Sequence, residues 1–209
     1  MPRMDPNLGV PIGDPLLSVA THEPPAMDGI VEAAWEQAPV LAAPLHYGLH
    51  GSEAAGVIEL RSLHDDERVY FLAQWPSTTP GGEPDAWRNL FTVHWRLLDP
   101  GMTAEDSTGS SELACDVACH TATADGQGNL VGIRIETIPP GLDENLPAGG
   151  GWAQGEWTLE WSRTRLSDNP YDENLLDPAR GYRFFVKIFQ GLEDRADPTT
   201  DVHELRLNR

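Results

Sequence analysis

Along most of the chain apolar and polar residues alternate with a period of two, the pattern of a strand with one buried face. Gly56 to Leu63 (GVIELRSL) is one such run and Val69 to Trp75 (VYFLAQW) the next, with His64-Asp65-Asp66-Glu67-Arg68 reading as the hairpin turn between them. Further runs cover Asn89 to Leu97, Leu130 to Ile138, Gly155 to Arg163, Tyr182 to Phe189 and Val202 to Leu207. Asp28 to Trp35 reads instead as a turn and a short helical segment, with Ile30, Ala34 and Trp35 on one face. About seven strands separated by turn signals predict a mostly β protein, an antiparallel β-sandwich with short helical segments. Residues 99–130, rich in Gly, Ser, Thr, Asp and Ala, are expected to form a long functional loop.

Residues 1–26 are Pro-rich with little periodicity and read as an arm draped on the domain, leaving 27–209 as a single sandwich. Of the seven tryptophans, Trp75, Trp95, Trp157 and Trp161 fall at strand positions and are expected to fill the core. Trp35 is expected to plug one end. Trp87 and Trp152 fall in turns, where they could flank a cofactor or form an aromatic platform for sugar.

Charge narrows the classes of partner. Thirty-three acidic residues against 14 basic ones give a formal charge of −19, which repels nucleic acid and anionic membrane surfaces. The acidity fits solubility, or steering toward a basic partner. No stretch has the roughly 20 apolar residues that span a bilayer, so no direct membrane insertion is expected. The start, Met1 to Pro6, shows neither a basic n-region nor an apolar h-region. No hydrolase, metalloprotease or phosphate-loop motif is present, which fits a carrier or binding domain better than an enzyme.

The only two cysteines lie in Cys115-Asp116-Val117-Ala118-Cys119-His120. Covalent haem attachment uses C-x-x-C-H, in which two thiols add to the haem vinyl groups and the histidine binds iron. This motif is one residue longer. Its spacing also allows a small disulfide loop, which would itself point to an oxidising compartment, or a metal site completed by histidines.

Two resemblances bear on that choice. Asp28-Gly29, Trp35 and Ala38 resemble the opening of carbohydrate-binding-module-9-like sandwiches. Arg61 to Pro76, an apolar strand, a charged turn and an aromatic strand ending in Trp, is similar to the haem-binding domain family typified by the ethylbenzene dehydrogenase γ subunit. Phe91-Thr92-Val93-His94-Trp95, the cysteine loop, Gly155 to Arg163 and Tyr182 to Gly191 follow in the same order. The similarity spans residues 28–207. It implies a β-sandwich with one haem near the end of its sheets. Some members carry haem b on Met and Lys; others carry a cysteine pair followed by histidine in the corresponding loop. Where those members have a Trp-His-Trp strand, this chain reads Gly128-Asn129-Leu130-Val131-Gly132-Ile133.

The resemblance therefore implies haem c attached at Cys115 and Cys119, with His120 as one iron ligand and His203 as the first choice for the other. His46, His50, Met102 and Lys187 are alternatives for that second ligand. His94 reads as a polar strand position, His22 and His64 as exposed arm and turn residues, and Lys187 more simply as a salt-bridge partner. The expected function is electron transfer between redox partner proteins, some of them basic, in the periplasm or outside the cell. The competing reading is a carbohydrate-binding sandwich with a Cys115–Cys119 disulfide.

Overall fold

Each alternating run becomes a strand within a residue or two of its expected ends. The computed structural model describes residues 11–48, 51–78, 80, 88–98, 118–137, 144–166, 181–189 and 196–208. In chain order these hold β1 (Leu16–Ala20), a 3₁₀ helix (Ala33–Gln37), β2 (Leu41–Tyr47), β3 (Ala54–His64), β4 (Arg68–Pro76), β5 (Arg88–Leu98) and β6 (Ala118–Ala124). Then come β7 (Leu130–Thr137), β8 (Glu144–Leu146), β9 (Ala148–Ala153), β10 (Glu156–Thr164), β11 (Gly181–Ile188), β12 (Pro198–Thr200) and β13 (His203–Leu207). Met102, Trp87, His50 and Cys115 lie outside the described residues.

Hydrogen bonding runs in the order β8-β7-β6-β5-β11-β12-β2-β3-β4-β10-β9, so the strands fold over as two layers of a sandwich. The pairings are antiparallel except those of β1, which lies parallel to both β3 and β13 and ties the layers together. Period-two alternation sends one set of side chains inward. From β4 these are Val69, Phe71, Ala73 and Trp75, and from β10 Trp157, Leu159 and Trp161. Phe91, Val93 and Trp95 of β5 and Tyr182, Phe184, Val186 and Ile188 of β11 meet them. Trp75 stacks on Phe91 at 5.6 Å and on Trp157 at 6.1 Å, and Phe71 stacks on Trp161 at 5.1 Å. Such ring pairs contribute about 0.5–1.5 kcal/mol each beyond area burial. The four tryptophans assigned to the core are there.

A second, smaller cluster lies on the outer face of β3 and β4, where Leu63, Tyr70 and Leu72 meet Trp35 and Ala38. Trp35 thus covers the outside of the sheet rather than plugging an end. Its indole Nε1–H donates to Glu160 Oε1 at 2.7 Å, and the Gly29 N–H donates to Glu160 Oε2 at 2.8 Å. Arg61 donates to the carbonyls of Trp35 and Ala38, at 3.0 Å each. The shared face expected for Ile30, Ala34 and Trp35 does not form: Ile30 is 67% exposed and Trp35 1%. One 3₁₀ turn is too short to bring those positions together.

Three segments read as loop or arm contain strands. Leu16–Ala20 shows no apolar alternation because it is only five residues long and one of its two buried positions is Ser18. β6 alternates His120, Ala122 and Ala124 inward with Cys119, Thr121 and Thr123, and alanine carries little apolar signal. β9 (AGGGWA) carries glycines because of close packing: a Cβ on Gly149 would lie 2.5 Å from Asp28 C and Gly29 N.

Candidate functional site

Successive side chains of a strand leave on opposite faces, and that rule decides what Cys119 and His120 can do. Both lie in β6. Cys119 points outward, fully buried and disulfide-bonded, with Sγ 3.3 Å from His94 Nδ1. The chain has one other cysteine. His94 in turn stacks on Phe185 at 4.4 Å, and burial followed by the charge of Lys187 lowers its pKa to about 4.

His120 points inward and is fully buried. Its Nδ1 accepts from the indole N–H groups of Trp95 and Trp161, both at 3.2 Å. Two donors on Nδ1 place the ring proton on Nε2.

His203, on β13, is 2% exposed, and its Nδ1–H donates to the Asp14 carbonyl at 2.8 Å. Its ring is separated from His120 by two others. Trp95 lies 5.5 Å from His120, Phe184 lies 5.2 Å from Trp95, and His203 lies 5.8 Å from Phe184. The void among Phe71, Trp95, Trp161 and Phe184 holds about 10 Å³, room for at most a water.

Haem c does not fit these residues. One sulfur is in a disulfide on the outer face, the neighbouring imidazole is packed on the inner face, and His203 is walled off from it. Among the described residues, no group of three or more His, Cys, Asp or Glu side chains could hold a metal ion. Of the alternatives for an iron ligand, His46 lies in β2 opposite Thr199, and Lys187 pairs with Asp197 at 3.0 Å, the salt-bridge role expected of it.

Among the described residues, a cleft with room for a ligand lies elsewhere. β1, β3, β10 and β13 finish together at one end of the sandwich, around a pocket of about 300 Å³ lined by Thr21, His22, His64, Asp65, Asp66, Arg165, Leu207 and Asn208. That is the lower end of the range for small-molecule sites. His64 was expected to be an exposed turn residue, but it closes β3 and is 7% exposed. Ser18 and Ser62 stand beside it in the pairing of β1 with β3. The Ser62 hydroxyl donates to the Tyr70 carbonyl at 3.0 Å, and Ser18 Oγ lies 3.0 Å from both Ser62 Oγ and His64 Nδ1. Ser18 thus bridges Ser62 and His64, and its bond occupies Nδ1 of the ring. Burial first, then the Arg165 charge, lower the His64 pKa against the opposing pull of Asp65 and Asp66. The imidazole is therefore held in its neutral form at pH 7.

The turn at the pocket rim is fastened from within. Asp65 Oδ1 accepts the N–H groups of Glu67 (2.8 Å) and Arg68 (2.7 Å), while Oδ2 accepts the Tyr70 hydroxyl at 2.6 Å. Burial pushes the Asp65 carboxyl up, but these donors and the Arg68 charge outweigh it and hold it below its ordinary value. Arg165 closes the other wall: its N–H donates to Glu67 O at 2.8 Å and its guanidinium to Asp65 O at 2.9 Å. Arg165 Nε is buried and has no hydrogen-bond partner among the described residues. Period and composition gave no signal for this site, because its residues come from four strand ends remote in sequence.

No family model matches the chain, and no curated protein matches it. Solved structures do. A putative carbohydrate-binding protein from Bacteroides uniformis aligns with a TM-score of 0.52 at 8% identity, over 94% of this chain and 100% of that one. A carbohydrate-binding module of family 9 from Caldicellulosiruptor kristjanssonii, in complex with glucose, aligns with a TM-score of 0.48 at 12% identity, over 92% of this chain and 95% of that one. The same module with cellotriose gives 0.48 at 9% identity, over 94% and 95%. The first likeness establishes a shared sandwich fold. The similarity to the haem-binding family is thereby corrected, and with it haem c, the iron ligands His120 and His203, and electron transfer with redox partners.

Proposed function

We propose that this chain is a non-catalytic carbohydrate-binding sandwich that works in the periplasm or outside the cell. The observation that carries the reading is the polar pocket where β1, β3, β10 and β13 end, which sets donors and acceptors around a volume of about 300 Å³. Sugars are recognised by such convergent polar groups, since each hydroxyl both donates and accepts. The shared fold with a putative carbohydrate-binding protein supports the reading. The disulfide at Cys119 supports an oxidising compartment. No helix among the described residues is long and apolar enough to cross a membrane.

Binding fits the geometry better than catalysis. Ser18 and His64 resemble the start of a nucleophile–base pair, but Ser18 is fully buried and cannot meet a substrate. Hydrolysis of a glycoside needs two working carboxyl groups. Asp65 has both oxygens occupied by the turn, which leaves Asp66 alone in the pocket.

The test is a glycan array with the full chain, followed by calorimetric titration of the hits. Binding that is weakened at least tenfold by Asp66→Ala together with Asn208→Ala, two exposed lining residues, supports the reading. An array with no hit among neutral, amino and acidic glycans would overturn it.

A further inference from the structure

We infer that Tyr70 is a positioning residue for the pocket: its hydroxyl holds the turn that presents Asp66 to a sugar. This rests on the sugar-binding reading above. Two adjacent carboxylates in the pocket wall have different roles. Asp65 is spent on the fold, since Oδ1 takes the Glu67 and Arg68 N–H groups and Oδ2 takes the Tyr70 hydroxyl. Asp66 is exposed and makes no hydrogen bond among the described residues, so its carboxylate is an acceptor left for a ligand.

The bonds to Oδ1 close the turn on itself. A turn closed only on itself can still swing about its two strand ends, and its tip is then not fixed. Asp65, the residue next to Asp66, is tied beyond the turn at two points. Its carbonyl accepts from the guanidinium of Arg165, just past the end of β10. Its Oδ2 accepts from the Tyr70 hydroxyl at 2.6 Å, the short distance of a charge-assisted bond.

Tyr70 suits this role because its ring cannot move. It is 5% exposed and packs with Leu63 and Leu72 in the cluster under Trp35, whose own indole N–H is fastened to Glu160. Burial first, then the bond to Asp65, push the phenol above its ordinary value, so it remains a donor. A turn ordered in advance lowers the conformational cost of capturing a sugar on Asp66.

The test uses the full chain and Tyr70→Phe, which keeps the ring in the cluster and removes only the hydroxyl. Hydrogen exchange on the free protein should show the Glu67 and Arg68 amides roughly tenfold less protected, because Asp65 Oδ1 is no longer held in place. A glycan array of neutral, amino and acidic sugars supplies the second readout, with the strongest wild-type hit titrated by calorimetry. Its affinity should fall roughly three- to tenfold in Tyr70→Phe. In an Asp66→Ala background the same substitution should change affinity by less than about twofold, because the group being positioned is gone. No fall, or an equal fall in both backgrounds, would overturn the inference, and so would amide protection at the wild-type level. Each of these results leaves sugar binding standing. An empty array for the wild-type protein would overturn the sugar-binding reading and this inference with it.

Discussion

Ser18 Oγ lies 3.0 Å from Nδ1 of His64, and that one bond occupies one of the two ring nitrogens. The two residues are brought together by a parallel pairing of β1 with β3, in which Ser18 sits opposite Ser62 and Ala20 opposite His64. Ser18→Ala removes the hydroxyl that bridges Ser62 Oγ and His64 Nδ1. The expected cost is about 1–3 kcal/mol in urea unfolding, the range for leaving a buried polar group unsatisfied. A variant of unchanged stability would show that this bridge contributes nothing to the fold.

His120 is expected to act as a structural acceptor. Replacing it with Leu keeps the site apolar but deprives two buried indole N–H groups, on Trp95 and Trp161, of their shared partner. The loss should be roughly 2–4 kcal/mol, with sugar affinity at the distant pocket unchanged once the protein is folded. Wild-type protein produced beside haem-attachment machinery should be colourless and carry no added mass. A Soret band that survives acid–acetone extraction would contradict the placement of Cys119 and His120 on opposite faces.

These two histidines also show how far the sequence could be read. Strand positions in β3, β4, β5, β7, β10, β11 and β13 were legible because large apolar residues mark every second position. The sandwich and its four core tryptophans followed. Cys119 and His120 are adjacent in sequence but not in space, because successive side chains of a strand leave on opposite faces. β6 was hidden by inward positions filled with Ala122 and Ala124. His64 was invisible for another reason: its neighbour Ser18 is 46 positions away, and a turn sequence gives no hint that its first residue faces inward. The carboxylate partner of Trp35 was equally hidden, since Glu160 alternates with Leu159 and Trp161 as an exposed residue would.

Gly149 is where β9 meets the Asp28–Gly29 turn. A methyl group there would lie 2.5 Å from Asp28 C and Gly29 N, both backbone atoms that cannot rotate aside. Gly149→Ala should therefore cost roughly 1–3 kcal/mol, the range for overpacking. It should also move Gly29 off Glu160 Oε2, which a loss of protection of the Gly29 amide in hydrogen exchange would report. Protection that stays at its wild-type level would mean that the turn yields without releasing the carboxyl group.

The pH dependence of stability should carry the mark of Glu160. Burial raises its pKa from 4.5 to about 7, against the Trp35 and Gly29 hydrogen bonds that lower it, with Glu32 and Asp28 adding to the rise. Between those two values the folded protein holds a proton that the unfolded chain releases. The contribution is thus complete below about pH 4.5 and is lost as pH rises through 7. His64, His94 and His203 act with the opposite sign. Burial lowers all three from 6.5, so stability falls as pH drops below that value and the unfolded chain takes up protons first. Glu160→Gln isolates the first effect, since the histidines are common to both proteins. Gln supplies one acceptor where two donors need one each, so the variant is less stable throughout. Its deficit relative to wild type should be largest near pH 5 and shrink steadily toward pH 8, as the wild-type carboxyl loses its proton in the fold. Urea titrations at intervals across that range would measure it. A deficit that stays constant would mean that Glu160 titrates in the fold as it does in the unfolded chain, and that its two hydrogen bonds offset the burial.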